Sequence, residues 1–519
     1  MKSSTMPTSN AASPNVSFHH LNLGTLSKSI AISGLVLFAF YMVWSNHVNG
    51  NYSSASDLLS SLQLKWPSSP TMTTCSSGGS GAPVPSDQPD SSTEISHVGF
   101  VVIGSLPTWT WRKHYIEAWW RPNVTRGYVF LDKEPTPEFL PWPLTSPPYR
   151  VSSKFTNLRV YPKLVSPPQV RMFRAILDMY RQGHQANKGL RWFMVCDDDT
   201  LVLVDNLVEV LNKFDHTKYH YIGGNSECVK SNADFSFDMA FGGAGYALSW
   251  PLVEALSSKL EGCIERYPHL FVSDHMVQSC LADLGVAVAH QKGIHQIDLH
   301  GDISGFLSTH PQAPLVTLHH FDTIDPIFPS MDRPEAIQHL MKAAEVDESR
   351  LAQQTICYHR ESNWSVSVSW GYSAYIYENI IPRSTLIKPL ETFQPWIINT
   401  SYPAFMFNTR RPNDDACESP HVFFFQSFDE DWKKNNASAV VVGDQQVVTT
   451  YTRKWPANLR PCELAGNHSA SLVDEIRVVS PTRTRKMAGV MECCDVDHEV
   501  GRSSVGVTVR SCLKDEVIA

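Results

Sequence analysis

The sequence predicts an α/β fold with a largely parallel sheet, followed by a smaller β-rich C-terminal region. Three observations carry this. Short, nearly continuous apolar runs alternate with segments of helical period, the pattern of strand–helix–strand units. One of these runs, Trp192 to Cys196, ends in three adjacent carboxylates, Asp197, Asp198 and Asp199, and open α/β sheets place ligands at the carboxyl ends of their strands. Beyond about residue 350 the pattern changes to alternating aromatic and β-branched residues, which reads as antiparallel strands.

What precedes the folded domain belongs to targeting. Ser29 to Trp44 is a 16-residue apolar stretch without a charge, shorter than the ~20 residues of an ordinary span and suited to the thinner membranes of the early secretory pathway. Lys2 and Lys28 precede it, and the next lysine or arginine is Lys65. The positive-inside rule then predicts a cytosolic tail over 1–28, a signal anchor over 29–44 and a single-pass type II protein with everything beyond in the lumen. A cleaved signal peptide is the alternative, but the 28-residue leader is long for one and no clear small-x-small site follows Trp44. Residues 45–96 read as a flexible stem, since 20 of the 27 residues from Pro67 to Thr93 are Ser, Thr, Pro or Gly. Sequons at Asn51, Asn123, Asn363, Asn399, Asn436 and Asn467 suit a lumenal chain. So do 11 cysteines, whose odd number leaves at least one unpaired, with Cys196 the candidate. A net charge of −8 without a basic run argues against a nucleic-acid partner.

The folded domain is expected to open on the apolar strand His97 to Gly104, with a helix over Lys113–Trp120 and a strand over Gly127–Leu131. Leu158–Tyr161 is a candidate third strand. In the helix Pro168–Gln182, Val170, Phe173, Leu177 and Tyr180 form one stripe, while Arg171 and Arg174 near its start are placed to reach a diphosphate. Further elements are a helix over Asp205–Phe214, a strand over His220–Gly224 and a helix over Pro251–Leu260. Within Phe241–Leu248, Gly242, Gly243 and Gly245 allow close approach of the backbone, either as a tight turn or as a loop under a flat ligand. Ser273 and Asp274 open another helix, where a carboxylate is favourable on structural grounds alone. Cys263 and Cys280 flank that segment and are candidates for a bridge. Three adjacent carboxylates repel one another unless a cation or donors neutralise them. Hard oxygen ligands suit Mg²⁺ or Mn²⁺, which usually carry phosphates, and one imidazole from the His-rich stretch His290–His320 would complete the set. The alternative for the triplet is a solvated acidic loop. The six cysteines beyond residue 350 predict a disulfide-bonded C-terminal region with a loosely ordered tail beyond Thr482.

Arg-Trp-Phe before the triple Asp, then Phe-Gly-Gly-Ala-Gly-Tyr, then the helix-opening Asp274, resembles the Fringe-type β-1,3-glycosyltransferases of glycosyltransferase family 31. Within them it is most similar to the plant Fringe-related subfamily long labelled as a domain of unknown function. The resemblance covers residues 95–400. It implies a GT-A type (Rossmann-like) domain over 97–345, a β-rich region over 346–519, a UDP-sugar donor, and Mn²⁺ or Mg²⁺. The implied reaction is inverting transfer of a hexose or N-acetylhexosamine to a hydroxyl of a glycan or glycoprotein acceptor in the Golgi lumen. By the same resemblance Asp274 is the catalytic base. Asp197 and Asp199 are metal ligands with His310, and His319 is the second choice of histidine. Asp197, Asp198, Gly242, Gly243 and Gly245 hold the nucleotide sugar, and Arg174, from its place in its own helix, is the added candidate for the diphosphate. The chain departs from the family pattern in having Ser273-Asp274 where Fringe has an acidic pair, and in a rearranged histidine motif. A catalytically silent glycan-binding or scaffold protein is the alternative, with a metal-dependent phosphohydrolase third. The donor sugar and the oligomeric state, monomer or homodimer, are left open.

Overall fold

The computed structural model describes residues 92–182, 188–399, 401–413, 415–429, 446–454, 462, 469–481, 492–499 and 501–517. The chain divides into Met1–Asp87 and Gln88–Ala519. The expected cytosolic tail, the anchor over 29–44 and nearly all of the stem lie outside the described residues, and among those described no helix is long and apolar enough to cross a membrane. The folded part begins before His97, since Thr93 is buried and its N–H donates to Asn212 Oδ1 at 2.6 Å.

In chain order the first half runs β1 (Val98–Ile103), α1 (Leu106–Glu117), β2 (Arg126–Leu131), β3 (Tyr149–Val151), α2 (Pro167–Tyr180), β4 (Trp192–Asp197), β5 (Leu201–Val202), α3 (Val204–Leu211), β6 (Tyr221–Gly223), β7 (Tyr246–Ser249), α4 (Trp250–Ser257), α5 (Ser273–Ala282), β8 (Val288–His290), β9 (Ile294–His295), β10 (Leu299–Gly301), β11 (Thr317–Leu318) and α6 (Arg333–Asp347). A seven-stranded sheet has the order β3-β2-β1-β4-β7-β6-β8. Beside it stands a three-stranded sheet, β5-β11-β9.

The pleat sorts β1 and β4 between two cores. Val98, Phe100, Val102, Trp192, Met194 and Cys196 join one; Val101, Ile103, Phe193 and Val195 join the other with α2 and α5. This is why both strands read as continuous apolar runs. The sheet is mixed: β1, β2, β3 and β4 are parallel, but β7 runs antiparallel to both β4 and β6. Leu158–Tyr161 forms turns rather than a strand, and Tyr149–Val151 is the parallel edge strand. Helix α1 starts well before Lys113, because Ser105 and Thr108 form a reciprocal N-terminal cap and Pro107 sits in the first turn, where a missing N–H costs nothing. Cys263 and Cys280 are bridged.

The second half carries β12 (Gln354–His359), β13 (Trp364–Ser369), β14 (Ser373–Tyr377), β15 (Phe393–Pro395), β16 (His421–Phe428), β17 (Gln446–Arg453), β18 (Glu475–Pro481), β19 (Glu492–Asp497) and β20 (Ser504–Ser511). All but β15, which pairs with β10, form an eight-stranded sheet in the order β12-β13-β14-β16-β17-β18-β20-β19. Disulfides join Cys357 to Cys494, Cys417 to Cys462 and Cys493 to Cys512. The tail beyond Thr482, expected to be loosely ordered, supplies β19 and β20, with Val505, Val507 and Val509 buried at alternate positions. The strand expected at Ala439–Val442 lies outside the described residues. Cys196 and Cys228 are free and buried. One hydrophobic core runs from Val98 through Trp364 to Val509, so residues on either side of position 345 share their interior.

Candidate active site

Asp197 is the last residue of β4 and pairs with Ile103 at the end of β1, so the triplet emerges where the central parallel strands stop. The turn that follows is tied down from three sides. Thr200 Oγ1 accepts from the Asp197 N–H at 3.1 Å and donates to the Gly243 carbonyl at 2.7 Å, while Trp119 Nε1 donates to the Thr200 carbonyl at 2.9 Å. The pairing of Leu318 with Leu201 then carries the next residue, His319, alongside the triplet. His319 Nε2 lies 3.1 Å from Asp199 Oδ1 and 3.9 Å from Asp197 Oδ2. One ligand atom from each of these three side chains lies within 4.8 Å of the others, a grouping able to hold a metal ion. Two carboxylates and an imidazole are a donor set for Mn²⁺ or a related divalent ion.

The glycine loop joins this cluster to Asp274. The Gly242 N–H donates to Asp274 Oδ2 at 2.8 Å, and Ser273 Oγ donates to Asp274 Oδ1 at 2.9 Å. A Cβ at position 242 would stand 2.3 Å from Asp274 Oδ1, and one at 243 would stand 2.1 Å from the His319 ring. Gly245 adopts φ +86°, and a Cβ there would meet the Met194 methyl at 2.5 Å. The Ser273 N–H donates to Gln169 Oε1 of α2 at 2.9 Å, which fixes the start of α5.

Part of the neutralisation comes from α1. Thr108 and Arg112, one turn apart on one helical face, both reach Asp198: Thr108 Oγ1 at 2.5 Å and Arg112 Nη1 at 3.0 Å. Arg112 Nη2 also lies 3.2 Å from Asp199 and 2.7 Å from Asp322, whose other oxygen accepts from Tyr115 Oη at 2.9 Å. Burial disfavours the Arg112 charge, but Asp199 and Asp198 outweigh it and raise its pKa.

The electrostatics divide the carboxylates. Burial pushes Asp199 up, yet His319 and Arg112 prevail and hold it down to about 2. Burial pushes His319 down, and Asp199 overcomes that to raise it. Asp197 is raised well above the usual range, first by burial and then by the charges of Asp199, Asp274 and Asp198. Asp198 is raised by burial against the Thr108 hydroxyl. Asp274 is raised by burial, opposed by the Gly242 N–H and the Ser273 hydroxyl. A carboxyl raised in this way is better suited to taking up a proton than an ordinary carboxylate.

The structure thus brings together Asp197, Asp198, Asp199, Gly242, Gly243, Gly245 and Asp274. It does not bring His310 or Arg174 to them. His310 packs at a tilt against Phe407, with ring centroids 4.1 Å apart, and against Phe306 at 4.6 Å, and burial lowers its pKa to about 3. It is held by aromatic packing, and His319 stands beside the triplet instead. Arg174 is buried against Glu261, 3.1 Å away, with Ser153 Oγ at 3.4 Å. Burial lowers the pKa of Arg171, one turn earlier, against the opposing charges of Asp132, Asp198 and Asp197. Arg112, Thr108 and Asp322 are residues that sequence reasoning missed. Their one signal is the i, i+4 spacing of Thr108 and Arg112, which a helix read only from Lys113 conceals.

No curated protein matches the chain. Among solved structures, one titled as a glycosyltransferase involved in the glycosylation of the major capsid of PBCV-1 is similar at 12% identity over 47% of this chain and 98% of its own, with a TM-score of 0.27. The family model described as a protein of unknown function, DUF604, matches residues 231–494, from the helix before the glycine loop through α5 and His319 to β19. That is just over half of the 519 residues, and the chain belongs to the DUF604 family.

Proposed function

We propose that the protein is an inverting glycosyltransferase that moves a sugar from a UDP-sugar to a hydroxyl of a glycan or glycoprotein in the Golgi lumen. The observation that carries this reading is the Gly242–Gly243 step. Asp274 stands against the first glycine and His319, with Asp199, against the second. A base and a metal-binding cluster are thereby held one residue apart. A divalent ion held by Asp197, Asp199 and His319 would neutralise the charge that develops on the departing diphosphate. In the reaction the acceptor oxygen bonds to the anomeric carbon as the bond from that carbon to the diphosphate oxygen breaks. The electron pair leaves with UDP, and the hydroxyl proton passes to Asp274. The raised pKa of Asp274 suits it to hold that proton. Four disulfides among the described residues suit an oxidising compartment.

A second reading, a silent glycan-binding protein, is favoured by Arg112, which already pairs with Asp198 and Asp199. UDP release by the purified 92–519 fragment, measured over a panel of UDP-sugars with and without Mn²⁺, separates the two. Mn²⁺-dependent release that disappears in Asp199→Ala supports transfer. No release with any donor, from protein that still binds glycans, supports the silent reading.

A further inference from the structure

Phe235, between the short helix Val229–Asp234 and the glycine loop, is the hub of an aromatic cluster on the Asp274 side of the site. Its ring centroid lies 6.2 Å from Phe241, 5.8 Å from Phe271 and 6.4 Å from His275. Three of these rings are close to Asp274, or to the glycine that binds it, along the chain. Phe271 and His275 flank it at the start of α5, and Phe241 precedes Gly242, whose N–H holds its carboxylate. The cluster is not closed over by the rest of the fold. Phe271 is 58% exposed and Phe235 and His275 are half-buried, while Phe241 is buried. A single exposed phenylalanine is ordinary. An open group of rings bordering a part-buried carboxylate instead has the make-up of a ligand site, apolar surface with one placed polar group.

We propose that Phe271 and Phe235 form the acceptor platform, on which a pyranose ring lies with its apolar C–H face against the aromatic rings and its reacting hydroxyl at Asp274. The assignment deepens the transferase reading and rests on it for the role of Asp274. The acceptor hydroxyl must come within hydrogen-bond reach of the carboxylate, and the sugar ring that bears it extends only a few bond lengths further. Phe271 and His275 beside Asp274 in the chain, and Phe241 beside Gly242, supply aromatic rings next to that position. A pyranose presents C–H groups on its face and hydroxyls on its rim, matching rings that offer a negative π-face beside a hydrogen-bonding carboxylate. No arginine or lysine belongs to the cluster, which disfavours an anionic ligand.

The test uses methyl β-galactoside and methyl β-N-acetylglucosaminide as probes, with binding to the purified full-length protein read by saturation-transfer NMR. Wild type should show transfer to the ring protons. Phe271→Ala should weaken binding roughly ten-fold, the worth of one aromatic contact, and Phe271→Trp should restore it, both variants melting at the wild-type temperature. Absence of transfer with wild type for either glycoside overturns the platform, as does equal binding by Phe271→Ala. UDP release by wild type is read separately. Glycoside binding through Phe271 without UDP release would sink the transferase reading and leave the platform standing, whereas release without glycoside binding would do the reverse.

Discussion

Strand β4 and strand β17 each lie inside a large sheet, yet they are built differently. Every residue of β4 from Trp192 to Cys196 is buried, and the strand ends in charge. In β17 Val447, Thr449, Tyr451 and Arg453 are buried while the residues between them are not. A strand flanked by helices on one face and a second core on the other has its open space only at its ends, so chemistry collects there. A strand in an antiparallel meander has a free face along its length and an inward face that only packs. The eight-stranded sheet is pinned by three disulfides and holds none of the clustered carboxylates. Its half of the chain reaches the site through a loop: Trp396 stacks at 4.6 Å on both His300 and His320, the neighbour of His319. On the proposed reading one region carries the reaction and the other braces it.

The sharpest way to test that division is Asp274→Asn. The amide keeps an oxygen to accept from the Gly242 N–H but cannot take up a proton as the carboxylate does. Transfer should fall by ~10²–10⁴-fold, with donor binding and melting temperature held. Near wild-type turnover would remove Asp274 from the role of base. Gly243→Ala should come next. The new methyl would stand where the His319 ring is, and loss of the support that orients a metal ligand usually costs about 10–100-fold in affinity. Mn²⁺-dependent stabilisation of the UDP complex in a thermal shift reads this directly, and an unchanged shift would mean that His319 does not depend on the loop.

The contrast between the regions also governs what could be read from residues alone. Strand β4 was legible because burial on both faces leaves a continuous apolar run, and the loop at Gly242 because glycines declare close approach. The direction of β7 was not legible. Pairing direction leaves no mark in a four-residue strand, and the antiparallel insertion between β4 and β6 is set by the fold as a whole. The choice between His310 and His319 failed for a similar reason. Each histidine follows a short apolar stretch, and only the two-residue ladder of β5 with β11 puts His319 beside Asp199. The aromatic neighbours that claim His310 include Phe407, nearly a hundred residues away in the sequence. The strands β19 and β20 were hidden by their polar outer faces, which resemble an unstructured tail until their cysteines are paired.

If the second region braces the first, cutting its longest staple should loosen the molecule without touching the chemistry. Cys357 and Cys494 are separated by 137 residues and join β12 to β19. Replacing both with alanine should cost about 2–5 kcal/mol, seen as a lower denaturation midpoint. Mn²⁺-dependent donor binding should persist at temperatures where the variant is folded. Loss of donor binding in folded protein would mean that the site leans on the sheet far more than Trp396 alone suggests.

The smallest expected effect lies at the seam. Glu348, just past α6, accepts from the N–H groups of Asp205 and Asn206 at 2.9 and 3.1 Å, serving the start of α3, and pairs with Arg121 at 3.3 Å. Burial, with the Asp205 charge behind it, pushes the Glu348 carboxyl up from 4.5 to about 7, against those two N–H groups and Arg121. A folded-state pKa above the unfolded one means that the native protein holds a proton the unfolded chain has released. Stability from this group is therefore fully present below about pH 4.5 and is lost as pH rises through about 7. The whole shift corresponds to at most about 3 kcal/mol. Glu348→Gln keeps an acceptor for both N–H groups and removes the titration, so the variant should gain stability relative to wild type between those pH values and match its trend below them. Denaturant midpoints of the two proteins compared across that range decide it. Parallel curves would mean that Arg121 keeps Glu348 charged and that the seam is held by an ion pair instead of a protonated carboxyl.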